Sequence, residues 1–499
     1  MRYFPYSVIF VISVVARNID DYSIQRKKLI DEELDAQVGG KILLNEEESI
    51  ANRILMRWKQ QEIRDSFNSP GRFNLSNHYF KYKNQIPESK VYQIIKKMPK
   101  GAALHVHSSL MLSVDRLMEL TYEDHLYACL EHDLKLHFSD TTPDLPCPVK
   151  WTLLSELRNA ADNITVFDTK LKKHFTMYTE DENDMNADIN TIWIRFNKVC
   201  DTIKSLISYR PVREKFFYAA LKEFYNDNIM YIEIRSGLNR LYELDGRVHD
   251  ITYLPRLYQQ VAKRFMKEYP DFIGIKFIVT RARKRTYYEL QEDLAIALRL
   301  KNDMPDLIAG FDLVGQEDLG KPLQDFLPAL EEAKNEISFY FHGGETNWYG
   351  LPPDENLVDA VLLGSKRIGH GYALLKHPYL LQAVKKRDIA IEVNVISNVV
   401  LSLVRDVRNH PLAVYLALGL PVVLSSDDPG AWGADPLSHD FYVAFVGVAS
   451  SHADIRLLKQ LALNSIRYSA LNDWDKTKMS SQFNLKWNEF IKDVISGNF

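Results

Sequence analysis

The chain has 499 residues, 46% hydrophobic and 26% charged, with a formal net charge of −4. That is globular composition, too long for one small core but enough for a barrel of roughly 250–400 residues with appended pieces. A slightly acidic chain lacks the cationic surplus of a nucleic-acid binder, so no nucleic-acid partner is expected.

Arg2 precedes a nearly uncharged run, residues 4–15, and Val14 and Ala16 suit the −3 and −1 positions of a signal-peptidase site. The run is shorter than the ~20 apolar residues of a membrane span. Residues 1–16 therefore read as a cleaved signal peptide, with a buried N-terminal helix as the alternative, and the protein as secreted, extracellular and without a membrane span. Residues 17–98 read as a polar helical arm. Within it, residues 46–67 carry Ile50, Ile54, Leu55 and Trp58 at helical spacing, and residues 91–98 form another short helix.

Eight short apolar runs then alternate with longer amphipathic stretches. They are residues 102–107, 230–237, 273–280, 307–315, 337–345, 367–371, 389–398 and 421–429. Alternating β and α with continuous apolar strands indicates a parallel sheet buried on both faces. Eight units predict the α/β class and a (β/α)8 TIM-type barrel over residues 99–490. The alternative, an open doubly wound sheet, lacks its glycine fingerprint after the first strand.

The interval between His107 and Met230 is too long for one helix and two loops, and residues 121–182 within it read as an inserted surface domain. It holds Pro143, Pro146 and Pro148, an acidic run at 180–184, and Cys129 and Cys147. Those two cysteines share one loop-rich stretch and are the natural disulfide pair of a secreted protein, leaving Cys200 free and buried. A disordered loop is the alternative; the cysteine pair argues against it. Glycosylation sequons begin at Asn74 and Asn163.

Catalytic groups of such barrels sit at the C-terminal ends of strands. The first strand ends in His105 and His107, two apart and so on one face. The fifth ends in His342-Gly343-Gly344-Glu345, the sixth carries His370, and the eighth ends in Asp427-Asp428. His105, His107, His342 and Asp427 would supply three imidazoles and a carboxylate to a zinc ion, with water as a fifth ligand. Such water ionises near neutral pH and attacks an electron-poor carbon. Glu345 could protonate a ring nitrogen of the substrate, and His370 and Asp427 could orient and deprotonate the water. The alternative role for Glu345 is to orient His342.

These residues resemble the adenosine deaminase family: HxH on the first strand, HGGET (family form HAGE), RIGHG and SSDDPG occur in the family's order. The leader, arm, insertion, cysteine pair, Ser397-Asn398 and Arg408-Asn409-His410-Pro411 are similar to its secreted branch, the adenosine deaminase-related growth factors. The resemblance implies zinc bound by His105, His107, His342 and Asp427. It implies that Glu345 protonates N1 of a purine and that His370 assists hydroxide at C6. Gly315 would contact the base through its backbone, Asp428 would accept a hydrogen bond at N7, and Trp193 would lie near the substrate, with core packing as its alternative. The arm is similar to a dimerisation element and the insertion to a receptor-binding domain. A homodimer and a cell-surface receptor or glycan are thus implied partners beside a purine nucleoside.

The implied function is extracellular, zinc-dependent hydrolytic deamination of adenosine and 2′-deoxyadenosine to inosine and 2′-deoxyinosine, with ammonia released. The alternatives are a secreted growth-factor-like signalling protein with weak or altered deaminase activity, and a deaminase of another adenine derivative. Two departures bear on that choice. Ser108 stands where the branch usually has an Asp that helps hold the ribose. Around Arg281-Ala282-Arg283 there is none of the histidine the branch often places in the pocket.

Overall fold

The computed structural model describes residues 6–131 and 133–499, with side chains from Asp21 onward except Arg72. Residues 1–5 of the expected leader lie outside the described residues, as do the side chains of residues 6–20. Among the described residues no helix is long and apolar enough to cross a membrane.

Eight parallel strands form the centre. They are β1 (Gly101–His107), β2 (Ile229–Ser236), β3 (Gly274–Ala282), β4 (Ile308–Val314), β5 in two pieces (Ser338–Phe339 and His342–Gly343), β6 (Arg367–His370), β7 (Ala390–Val393) and β8 (Val422–Leu424). Each pairs with the next in chain order. The ring closes through a parallel bridge between Val106 of β1 and Asp427 just past β8. Two hydrogen bonds make that closure: Asp427 N donates to His105 O (3.1 Å) and His107 N donates to Asp427 O (3.0 Å). The strands are buried almost throughout, as a sheet wrapped by helices requires.

The arm consists of helix Tyr6–Ala36 and helix Glu46–Asn68, followed by short turns and helix Lys90–Lys97. Asn45 and Glu48 form a reciprocal capping box that starts the second helix. Its buried stripe is Glu48, Ala51, Leu55 and Lys59, whereas Ile50, Ile54 and Trp58 are only half-buried. The inner face is thus rotated from the one the apolar residues suggest, because two charged residues on it find partners. Lys59 Nζ donates to Ser450 O (2.9 Å) and Ala453 O (2.7 Å) over the Phe445 ring, and Glu48 accepts from Trp487 Nε1 at 2.8 Å.

Between β1 and β2 the insertion folds as a three-stranded antiparallel sheet, Leu126–Leu130, Leu134–Phe138 and Thr152–Leu153, beside helices Leu154–Asn159 and Ile164–Lys172. Cys129 and Cys147 are joined in a disulfide. Cys200 is free but half-buried rather than buried, because helix Ile189–Ile207 turns it toward the barrel mouth. Asn74 and Asn163 are exposed, and Asn163 caps its helix by accepting from Val166 N at 3.1 Å.

Candidate active site

Closing the barrel through Asp427 brings the last strand's aspartate against the first strand's histidines. Nε2 of His107 lies 3.1 Å and Nε2 of His105 3.4 Å from Asp427 Oδ1. His342 joins them from β5, its ring centroid 4.6 Å from that of His105 and 5.4 Å from that of His107. One ligand atom from each of the four lies within 4.8 Å of the others.

The lone pairs that face inward are fixed from behind. His105 Nδ1 is 2.8 Å from Glu392 Oε2, and His342 Nδ1 is 2.7 Å from Asp312 Oδ2. A carboxylate can only accept, so both protons sit on Nδ1 and both Nε2 atoms present lone pairs. Arg235 ties the two carboxylates together, with Nε 2.8 Å from Asp312 Oδ2 and Nη2 2.7 Å from Glu392 Oε2. Arg367 joins Glu392 to Glu233 from the other side. Burial alone would push the Glu392 carboxyl up, but Arg235 and Arg367 hold it well below the usual carboxylate range. Burial lowers His342 to about 4, so its ring stays neutral and able to ligate.

Sequence reasoning missed Glu233, Arg235, Asp312, Arg367 and Glu392 as supports. The signal was present: each is a charge inside an otherwise apolar strand, and a buried charge must be paired.

Glu345 and His370 border the cluster. His370 Nε2 is 3.8 Å from Asp427 Oδ2, and its Nδ1 is 3.7 Å from Glu345 Oε1. Burial, with Asp427 and Glu317 nearby, raises the Glu345 carboxyl well above its ordinary value, which favours the protonated form. Asp428 is raised by burial and by the same neighbouring carboxylates, Asp427 and Glu345. Ser397 Oγ donates to Asp427 Oδ2 at 2.8 Å. His410 Nε2 meets Asn398 Oδ1 at 2.9 Å, which turns Asn398 Nδ2 toward His370 Nδ1 at 3.4 Å. Nδ1 of His370 then accepts, and the ring proton sits on Nε2, facing the cluster.

His370 and Asp427 both have φ of 61°, the left-handed region that non-glycine residues rarely occupy. Gly369 is required by closeness: a Cβ there would lie 3.0 Å from His105 Cε1 and 3.3 Å from Nδ1.

The cluster opens into a cavity of about 360 Å³, within the usual range of small-molecule sites. Gly315 lines it at φ +99°, with nothing within 4 Å of where a Cβ would stand. Trp193 also lines it, and packs edge-on against Phe196 at 5.3 Å, so its two sequence readings coexist. Asp428 lines the wall with Oδ1 lacking a hydrogen-bond partner. All four candidate ligands, both candidate catalytic residues and all three candidate substrate contacts therefore lie in or around one cavity.

Comparison with known proteins follows the same outline. The adenosine deaminase family model matches residues 160–485, and the adenosine/AMP deaminase N-terminal model matches residues 10–95. An adenosine deaminase of Aedes albopictus is 42% identical over 472 residues, covering 94% of this chain and 88% of that protein. Adenosine deaminase 2 of Homo sapiens is 40% identical over 481 residues, covering 94% and 93%. Among solved structures, the N6-methyl-AMP deaminase of Arabidopsis thaliana superposes with a TM-score of 0.55 at 18% identity, covering 80% of this chain and 99% of that one. An adenine deaminase of Arthrobacter aurescens gives 0.55 at 19%, covering 78% and 99%. At such identities the likeness speaks for the fold alone.

Proposed function

The chain belongs to the adenosine deaminase family of enzymes, and from that premise we propose that it acts outside the cell as a zinc-dependent hydrolase of adenosine and 2′-deoxyadenosine. Water replaces the 6-amino group, giving inosine or 2′-deoxyinosine and ammonia. One observation carries the reading: His105 Nε2 and Asp427 Oδ1, both buried, face each other with no hydrogen-bond partner. Two acceptors turned toward one point, beside two more ligand atoms, suit a cation, and three imidazoles with one carboxylate suit zinc. Zinc held there supplies Lewis-acid chemistry that makes water a nucleophile near neutral pH.

The chain's own groups handle the rest. His370 donates from Nε2 and so positions the attacking water. Asp427 Oδ2, oriented by Ser397, is the carboxylate oxygen within reach of a water proton. Glu345 holds the proton that a ring nitrogen must receive as the water adds, which makes it the general acid. Asp428 differs from the sequence expectation. N7 of adenine has a lone pair and no proton, so Asp428 would have to donate there rather than accept, and burial raises its carboxyl well above the ordinary value, which favours the protonated form that can.

Secretion is supported by the Cys129–Cys147 disulfide, which suits an oxidising compartment, and by the leader-like residues 1–16. The proposed dimerisation arm exposes Tyr22, Ile24, Leu29 and Leu43, and the insertion is the proposed surface for a receptor or glycan.

The test is a deaminase assay on purified zinc-loaded protein with adenosine, followed as the fall of adenine absorbance. Glu345→Gln should lower kcat by about 10²–10⁴-fold while zinc content stays at wild-type level. A zinc-loaded protein that leaves adenosine intact, or a Glu345→Gln variant with full turnover, would overturn the reading.

A further inference from the structure

The charged residues that line the cavity fall into two sets. Its acidic lining residues, Glu345, Asp427 and Asp428, all belong to the cluster just described. Apart from Arg235 beneath that cluster and the histidines, the remaining ionisable wall is cationic but for the Cys200 thiol: Lys204, Arg281 and Arg285. Arg281 Nε lies 2.6 Å from one oxygen of Asp293, and Arg285 Nε lies 3.2 Å from the other, so two guanidiniums share one carboxylate that does not line the cavity. Arg285 also meets Glu289 at 3.3 Å, and Lys204 meets Asp201 at 3.6 Å, both outside the lining.

A further cation stands behind the wall at Ser108. Arg213 is 2% exposed; its Nη2 is 3.5 Å from Ser108 Oγ, and its guanidinium carbon is 5.4 Å from the Tyr258 ring centre. Its Nε has no hydrogen-bond partner; the Tyr258 hydroxyl favours its charge, but among the described residues no carboxylate pairs with it. Ser108 itself lines the cavity and is otherwise held by Ser236 Oγ at 2.8 Å. A buried guanidinium without a counter-ion is a penalty that a neighbouring anion removes, and guanidinium geometry matches phosphate oxygens. A carboxylate at position 108 would have served as that counter-ion; a serine leaves the place for one brought by the ligand.

We propose that this cationic wall takes a phosphate monoester, so that the preferred substrate class is an adenine nucleoside monophosphate. The inference rests on the deaminase reading above. The base lies at the metal cluster, and the sugar phosphate extends along the wall past Ser108 toward Arg281 and Arg285. The reaction at C6 is unchanged: water enters, ammonia leaves and the phosphate ester stays intact.

The test compares kcat/KM of the metal-loaded full chain on adenosine, on adenosine 5′-monophosphate, and on adenosine with added inorganic phosphate. The monophosphate should be favoured about tenfold or more, as one charge-assisted contact predicts, with a KM that rises with salt. Inosine 5′-monophosphate and inosine, titrated calorimetrically, give the same ratio without turnover. In Ser108→Asp, and separately in Arg281→Gln/Arg285→Gln, both ratios should fall about tenfold, with unfolding midpoints showing that the variants are folded. Preference for adenosine, with ratios unmoved by either variant, overturns the inference and leaves the deaminase reading standing. Stimulation of adenosine turnover by inorganic phosphate, without preference for the monophosphate, assigns the site to a free ion and also overturns it. If neither substrate is turned over, the deaminase reading fails, and the calorimetric ratio still decides the phosphate site.

Discussion

Glu392 is the residue through which the support of the metal cluster can be measured. Its carboxylate faces three donors: His105 Nδ1 at 2.8 Å, Arg235 Nη2 at 2.7 Å and Arg367 Nε at 2.5 Å. Glu392→Gln keeps the shape, removes the charge and turns an N–H of its own toward one of those donors. If that donor is His105, the ring loses the partner that keeps its Nε2 unprotonated toward Asp427. Loss of such a partner costs about 10–100-fold in metal affinity, or ~1.4–2.8 kcal/mol. The hub also goes from three carboxylates facing two guanidiniums to two facing two. Arg235 keeps Asp312 and Arg367 keeps Glu233, so no buried charge is left unpaired, and the metal-free variant should be destabilised by less than the ~3–5 kcal/mol of a broken buried pair. Zinc content after dialysis against a graded chelator measures the first effect, and urea unfolding of the metal-free proteins measures the second. Zinc affinity equal to wild type in a folded Glu392→Gln protein would refute the claim that this carboxylate prepares His105 for ligation.

Two predictions concern stability. Cys129 and Cys147 are 18 residues apart, and a loop of that size contributes ~3 kcal/mol by chain entropy; the double alanine variant should show protease cleavage in the insertion before the barrel opens, and equal protease resistance would contradict this. His410 is lowered by burial to about 3, below its ordinary 6.5, so the native state excludes a proton that the unfolded chain binds. Its contribution is whole above pH 6.5 and falls away as pH drops toward 3, because Nδ1 already accepts from Leu412 N at 3.0 Å. His410→Gln should therefore show a shallower fall of unfolding free energy between pH 6.5 and 4 than wild type; parallel curves would count against it.

The parts of the site that were legible in the sequence are those that lie at strand ends. Apolar runs locate the strands, and polar residues that terminate them mark the mouth. The internal break of β5 was not legible, since residues 337–345 read as one run. His342 N donates to a side chain of β4, Asp312 Oδ1, at 2.9 Å instead of to that strand's backbone, and the β4–β5 ladder stops short of it. The arm helix shows the same limit from the other side. Periodicity pointed to Ile50, Ile54, Leu55 and Trp58; Leu55 is buried, but Lys59 and Glu48 share the inner face in place of the others because carbonyls and an indole N–H await them. In each case the deciding partner is distant in sequence, so no local pattern could name it.

The placement of Asp427 joins folding to chemistry. Its backbone supplies both hydrogen bonds that close β8 onto β1, at His105 and His107, and its side chain faces those same two imidazoles. A positive φ at Asp427 lets one residue do both, since the extended conformation of a strand would turn the carboxylate elsewhere. His370 leaves its strand in the same conformation and meets the other carboxylate oxygen. The strain at these two positions is held by the ring itself: neither residue can relax without breaking the bridge or the imidazole cluster it faces. The cluster is therefore assembled by closure of the barrel, which is why residues from its first, fifth, sixth and eighth strands could be read together from the ends of apolar runs.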